Sequence, residues 1–270
     1  DNLDDDNSGF MDQAVSSAKE VYDDIMNDEN TNIKFLGILQ KLSEKDKGFT
    51  YNLAFDSNKK ITGFVYMTST MRSNLLRFGS HIYLDAMKRA TNIHLWPYIG
   101  PTITNDLNKI SVVCEAFCLQ ERHEAYVFVL KSMFMMAPLF KHSNLKVIFA
   151  DEFITESMLK DVGLTETKLF LDHFHLKQNY EKDLGPLYHN VQFEVERIMS
   201  AESKQCFDDA LLSARNNHKN NDKIIDLLNK LDNDRHTYAS YVINSTKGSG
   251  CRRGSSCAES NHASVLTYVG

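Results

Sequence analysis

Leu145-Lys146-Val147-Ile148-Phe149-Ala150-Asp151 is a short apolar run with one lysine near its start and an aspartate at its end. Runs of this length, rich in branched and aromatic residues, are strands buried on both faces, as in parallel and mixed sheets. Working back, residues 121–137 are apolar along one side and built from strong helix formers, so a helix is expected to lead into this strand. Working forward, residues 153–162 read as another helix and 167–175 as another strand, with helix resuming at Leu176. Helix and strand alternating in this way is the β-α-β pattern and predicts an α/β fold.

Further upstream, residues 1–48 are acidic and polar, with apolar residues at helical spacing (Val21, Ile25, Ile33, Phe35, Leu36, Leu39, Leu42), and read as a helical lead-in. Residues 49–56 and 60–67 flank the polar Asp56-Ser57-Asn58 and read as a β-hairpin. His81-Ile82-Tyr83-Leu84-Asp85, the apolar run 93–99 and residues 109–119 suggest a small antiparallel meander, packed by Trp96 and Tyr98. Met133, Met135 and Met136 are expected to fill core gaps along the helix.

From residue 185 the pattern becomes helical and heavily charged, as in Val195, Ile198 and Met199, then Phe207 and Leu211, then Ile224, Leu227 and Leu228. Residues 244–256 are rich in Ser, Gly and basic side chains and read as a loop, and 258–269 as a last helix. The expected organisation is a lead-in (1–48), an α/β core (49–184), a helical insertion (185–243), and a loop and final core helix (244–270).

Hydrophobic and charged fractions of 42% and 24% are those of a globular protein. A net charge of -6 argues against a dedicated nucleic-acid-binding domain, which usually carries a basic excess. The five cysteines (Cys114, Cys118, Cys206, Cys251, Cys257) form no CxxC pair, so a reducing intracellular compartment is the default expectation. The most apolar stretch, 125–140, is interrupted by Lys131 and is too short to span a bilayer, so no membrane role is expected. The chain starts without Met and stops inside a helical pattern, and is expected to be a segment of a longer protein.

Asp85 and Asp151 each close an apolar strand-like run, where open α/β sheets place functional groups. A single aspartate there is ordinarily a turn-former or helix cap. Two from neighbouring strands, joined by a third carboxylate, would supply the oxygen ligands that a pair of magnesium ions requires. Composition alone does not choose the third from Glu194, Glu196, Glu202, Asp208, Asp209 and others.

Three segments together resemble the Mutator-like element transposases and, more distantly, their bacterial insertion-sequence relatives. The first is Phe78-Gly79-Ser80-His81-Ile82-Tyr83-Leu84-Asp85-Ala86 with Asn92 beyond it. The second is Val147-Ile148-Phe149-Ala150-Asp151, followed by Leu171-Asp172-His173-Phe174-His175, similar to the family's C/D-x-x-H signature. The third is Ser256-Cys257-Ala258-Glu259-Ser260-Asn261, similar to the start of the family's last catalytic helix. The chain departs from the family where Ala86-Met87-Lys88 replace a Thr-rich context after the first aspartate.

The resemblance implies an RNase H-like, retroviral-integrase-like mixed sheet flanked by helices, with the helical insertion before the last catalytic helix. It implies that Asp85, Asp151 and Glu259 hold two Mg²⁺ or Mn²⁺ ions for DNA strand cleavage and strand transfer. It places Asp172, His175 and Asn261 near that site, although Asp172 and His175 also read as parts of a strand that satisfies a core histidine. Lys247, Arg252 and Arg253 precede Glu259 and would meet DNA phosphates, or form a solvated loop. Transposon ends and target DNA are the implied partners, with a homo-oligomer assembled on DNA and a nuclear location in a eukaryote. The alternatives are a domesticated, non-catalytic DNA-binding or transcription-regulating relative, and an unrelated α/β interaction domain.

Overall fold

A computed structural model describes residues 31–87, 97–107 and 109–246. They form a mixed α/β architecture that divides into two compact units, one of residues 31–146 with 156–167 and one of 147–155 with 168–246.

In the first unit, helix α1 (Thr31–Lys45) leads to the antiparallel hairpin β1 (Thr50–Phe55) and β2 (Ile61–Met67). The hairpin turn is the expected one, and Asp56 explains it. Its Oδ1 accepts from the N–H groups of Asn58 and Lys60, both at 2.8 Å, and Lys59 takes the left-handed φ of 63° that closes the loop. Asn52 of β1 accepts from the N–H of Leu53 at 3.0 Å through Oδ1 and donates to Ser132 Oγ at 2.9 Å through Nδ2.

Thr68 starts α2 (Ser69–Phe78) by accepting from the N–H of Met71 at 3.1 Å, and Met71 and Leu75 face the core. The helix stops at Gly79, where a Cβ would lie 2.4 Å from the Leu75 carbonyl oxygen, so glycine alone fits.

The main sheet has the order β1-β2-β8-β5-β4, antiparallel throughout, with β4 (Ala86–Met87), β5 (Tyr98–Ile99) and β8 (Glu115–Cys118). A second antiparallel ladder joins β3 (His81–Leu84), β6 (Thr102–Thr104) and β7 (Ile110–Val112). The expected single meander is therefore split. Run 109–119 breaks at Val113, whose N–H bonds to the Pro101 carbonyl at 2.9 Å, and the strand after the break pairs with β2 instead. Trp96 lies outside the described residues.

Helix α3 (His123–Met136) buries Tyr126, Val129, Leu130 and Met133, and Phe128 covers β2 so closely that a Cβ on Gly63 would come within 2.9 Å of its ring. Met133 and Met136 fill the core as expected, but Met135 is 57% exposed. At about 100° per residue, Met135 points roughly opposite to Met133, so the core reading fails for it. Helix α4 spans Glu156–Asp161, shorter than the expected 153–162, because a turn at Asp151 delays its start. His123 Nε2 and Asp161 Oδ2, 2.8 Å apart, tie the start of α3 to the end of α4.

The second unit opens with β9 (Val147–Ala150), buried at all four residues, paired in parallel with β10 (Lys168–Leu171). Parallel neighbours require a crossover between them, as the β-α-β reading predicts. Helices α5 (His173–Leu184), α6 (Gln192–Met199), α7 (Lys204–Asn217), α8 (Asp222–Tyr238) and α9 (Ser240–Ser245) follow, with a 3-10 turn at Gly185–Asn190. Ser203 and Asn221 cap α7 and α8 through their side-chain oxygens. Leu176 and Tyr180 of α5 share one apolar core with Val195, Ile198, Phe207, Leu228 and Tyr238, so this helix packs with those that follow it. Helix persists through Ser245, two residues past the expected limit. No described helix is long and apolar enough to cross a membrane.

Candidate functional site

The buried strand β9 ends at Ala150, and Asp151 is the first residue beyond it. Its Oδ1 accepts from the N–H of Phe153 at 2.9 Å, and its carbonyl accepts from the N–H of Ile154 at 3.3 Å, so the side chain is held in a tight turn. The register of β9 with β10 pairs Ala150 with Leu171, which makes Asp172 the matching first residue beyond β10. The N–H of Asp172 donates to the Ala150 carbonyl at 2.8 Å and carries the ladder one residue further. The second unit thus sets two aspartates at the C-terminal ends of adjoining parallel strands, the position from which open α/β sheets present functional groups.

Asp172 corrects the expected strand at residues 167–175. The strand stops at Leu171, and Asp172, 4% exposed, caps α5 by accepting from the N–H of Phe174 at 2.8 Å. The run Asp172-His173-Phe174-His175 alternates like a strand. A carboxylate capping two residues on satisfies a helix-end donor that a strand does not present, and the helix wins. His173 and His175 therefore lie in the first turn of α5. His173 shares a hydrogen bond of 2.6 Å between Nε2 and the Tyr238 carbonyl, and stands edge-on to the Tyr238 ring. His175 is half-buried with its ring edge-on to Phe174.

Asp85, in the first unit, follows β3 and is 8% exposed. Its Oδ1 accepts from the N–H of Ala86 at 2.7 Å. Tyr83 pairs with Thr102 and Ala86 with Ile99, which puts Asp85 opposite Gly100, where the two strands pass from one ladder to the other. A Cβ on Gly100 would lie 2.4 Å from the Tyr98 hydroxyl, so the Tyr98 ring can fold over this point only because residue 100 is glycine.

That hydroxyl leads to a group the sequence reading missed. Tyr98 donates to Glu115 Oε1 at 3.2 Å, and Tyr66, directly across the ladder, donates to Glu115 Oε2. Glu115 is 4% exposed, and burial pushes its carboxyl up to about 7. The signal was present in Val112-Val113-Cys114-Glu115-Ala116-Phe117, where one acid interrupts an apolar strand. The flanking Cys114 and Cys118 are buried with thiols pushed well up, that of Cys118 to about 12, so neither is a nucleophile at neutral pH.

Glu259, Asn261, Lys247, Arg252 and Arg253 lie outside the described residues. Among the described residues, no three His, Cys, Asp or Glu side chains gather closely enough to hold a metal ion. Of the expected ligands that are described, Asp85 and Asp151 offer the carboxylate oxygens that a hard divalent cation takes, and each is fixed by a backbone N–H, that of Ala86 and that of Phe153. Compared with known proteins, the chain matches no family model and no curated protein.

Proposed function

We propose that this chain is the catalytic core of a DDE transposase, an RNase H-like domain with a helical insertion, which cuts DNA at transposon ends and joins the freed 3′-OH to target DNA. The observation that carries this reading is Asp151, set at the C-terminal end of a strand buried at all four residues with its carboxylate fixed by the Phe153 N–H. The likeness of the segments around Asp85, Asp151 and Glu259 to Mutator-like transposases supports the rest.

Asp85, Asp151 and Glu259 would hold Mg²⁺ or Mn²⁺ by carboxylate oxygens. When bound, two such ions supply activation of an attacking oxygen and stabilisation of the leaving oxygen in an in-line displacement. Asp172 caps α5 and sets His175 in the first turn of that helix, where it would orient a neighbouring group or touch DNA. Lys247, Arg252, Arg253 and Asn261 would contact the DNA backbone and give a salt-dependent affinity. Assembly as a homo-oligomer on DNA, and a nuclear location in a eukaryotic host, belong to the same reading.

The test is Mn²⁺ binding by paramagnetic resonance together with Mn²⁺-dependent nicking of supercoiled plasmid. Asp85→Asn, Asp151→Asn and Glu259→Gln are each expected to abolish nicking and weaken ion binding while keeping the wild-type melting temperature. Wild-type nicking by the Asp151→Asn protein would end the reading. Salt-sensitive DNA binding without ion binding would favour the non-catalytic relative.

A further inference from the structure

We propose that the first unit carries a docking groove for an acidic, apolar peptide segment of a partner protein. A cavity of about 490 Å³ opens where the α1–β1 turn, α2 and the end of α3 meet. Tyr51, Leu76, Met135 and Leu139 line it, with Lys47 and Arg72 among them. The four apolar side chains are 37%, 39%, 57% and 77% exposed. Single exposed apolar residues are ordinary, but here four line one concavity, where an apolar side chain of another segment could be covered on several sides at once.

Charge selects the occupant. The chain as a whole is net -6, yet the groove lining contains two cations and no carboxylate. Arg72 is held in place, Nε donating to the Met136 carbonyl at 2.9 Å and Nη2 to Thr50 Oγ1 at 2.7 Å. The first of these bonds also offsets the partial negative charge of the α3 C-terminus, which would otherwise repel an anion at this place. Asp46 feels the charge of Arg72, but its two oxygens accept from the N–H groups of Gly48 and Ser69, at 2.7 and 2.8 Å. Lys47 forms no ion pair among the described residues.

The matching ligand places an aliphatic or aromatic side chain among Leu76, Met135 and Leu139 and a carboxylate within reach of Lys47. A nucleic acid would meet the two cations but leave the apolar wall without an aliphatic partner. A basic peptide would fill the wall and be repelled by the cations.

Fluorescence anisotropy on the full chain tests this, with a labelled twelve-residue peptide of alternating Asp and Leu as the probe and its Lys-Leu counterpart as control. The Asp-Leu peptide is expected to bind, more weakly as salt is raised, and the Lys-Leu peptide to fail. Lys47→Glu and Leu139→Asp alter exposed side chains, so each should keep the wild-type melting curve while weakening binding by about tenfold. Absence of binding, equal binding of both peptides, or affinity unchanged in both variants overturns the proposal. So does sedimentation showing a wild-type dimer that Leu139→Asp dissolves, which would assign the groove to a second copy of the chain.

Discussion

Asp151 and Asp172 stand as matching residues beyond two adjoining parallel strands, with the N–H of Asp172 on the carbonyl of Ala150 at 2.8 Å. Twenty-one positions apart in the chain, they are made neighbours in the ladder by the register that pairs Ala150 with Leu171. Asp172 has a second task as the cap of α5, and the two can be separated by substitution.

Asp172→Ala removes the cap and is expected to lower stability by about 1 kcal/mol. Asp172→Asn keeps a capping oxygen and should lose a few tenths of that at most. Urea denaturation measures both. If Asp172→Asn is as stable as wild type yet loses Mn²⁺ binding, the charge of Asp172 belongs to the site; if binding is retained, its role is the cap.

The buried Glu115 should make stability depend on pH. Its native carboxyl titrates at about 7 against an ordinary 4.5, so between these values the folded chain holds a proton that the unfolded chain has released. Stability is then greatest below pH 4.5 on account of this group, falls by up to about 1.4 kcal/mol per pH unit through the window, and is level above 7. Chemical denaturation of wild type and Glu115→Gln across pH 4–8 reads this out. The variant should lack that slope, and parallel curves would refute the assignment.

Two glycines should respond in opposite directions to alanine. Gly37, exposed in α1, has nothing within 4 Å of a new Cβ, and Gly37→Ala should stabilise by about 0.5–1 kcal/mol through helix propensity. Gly79→Ala would press a methyl to 2.4 Å from the Leu75 carbonyl oxygen and should destabilise by about 1–3 kcal/mol. Thermal melting of the two proteins side by side decides it.

His173 joins the first turn of α5 to the last residue of α8 through the Tyr238 carbonyl. His173→Ala is expected to cost about 1–2 kcal/mol, whereas His173→Gln, which can still donate an N–H from nearly the same place, should recover most of it. Equal loss in both would show that ring packing against Tyr238, rather than the hydrogen bond, holds the two helices.

What could be read from sequence was local. The hairpin around Asp56 and the buried strand ending at Ala150 each carry their signal within a few residues, and both formed as expected. Residues 172–175 misled because alternation is shared by strands and by the first turn of a capped helix, and only the bond from Asp172 to Phe174 separates them. Met135 misled because a helix that is apolar nearly all round does not announce its solvent face. The tyrosines around Glu115 come from other strands, Tyr66 being 49 positions away, and only the pairing of β2 and of β5 with β8 brings them together. For the same reason, the adjacency of Asp151 and Asp172 is a property of register, invisible before the ladder is known.

Asn52 carries a consequence for behaviour at high concentration. Strand β1 ends the main sheet, and a bare end strand is a template on which further chains can stack edge to edge. By accepting from the N–H of Leu53 while anchored to Ser132, the Asn52 side chain occupies a donor that such stacking would recruit. A polar contact within the strand thus leaves the edge with one donor fewer for an incoming chain, and edge-to-edge growth is expected to be less favourable at this position.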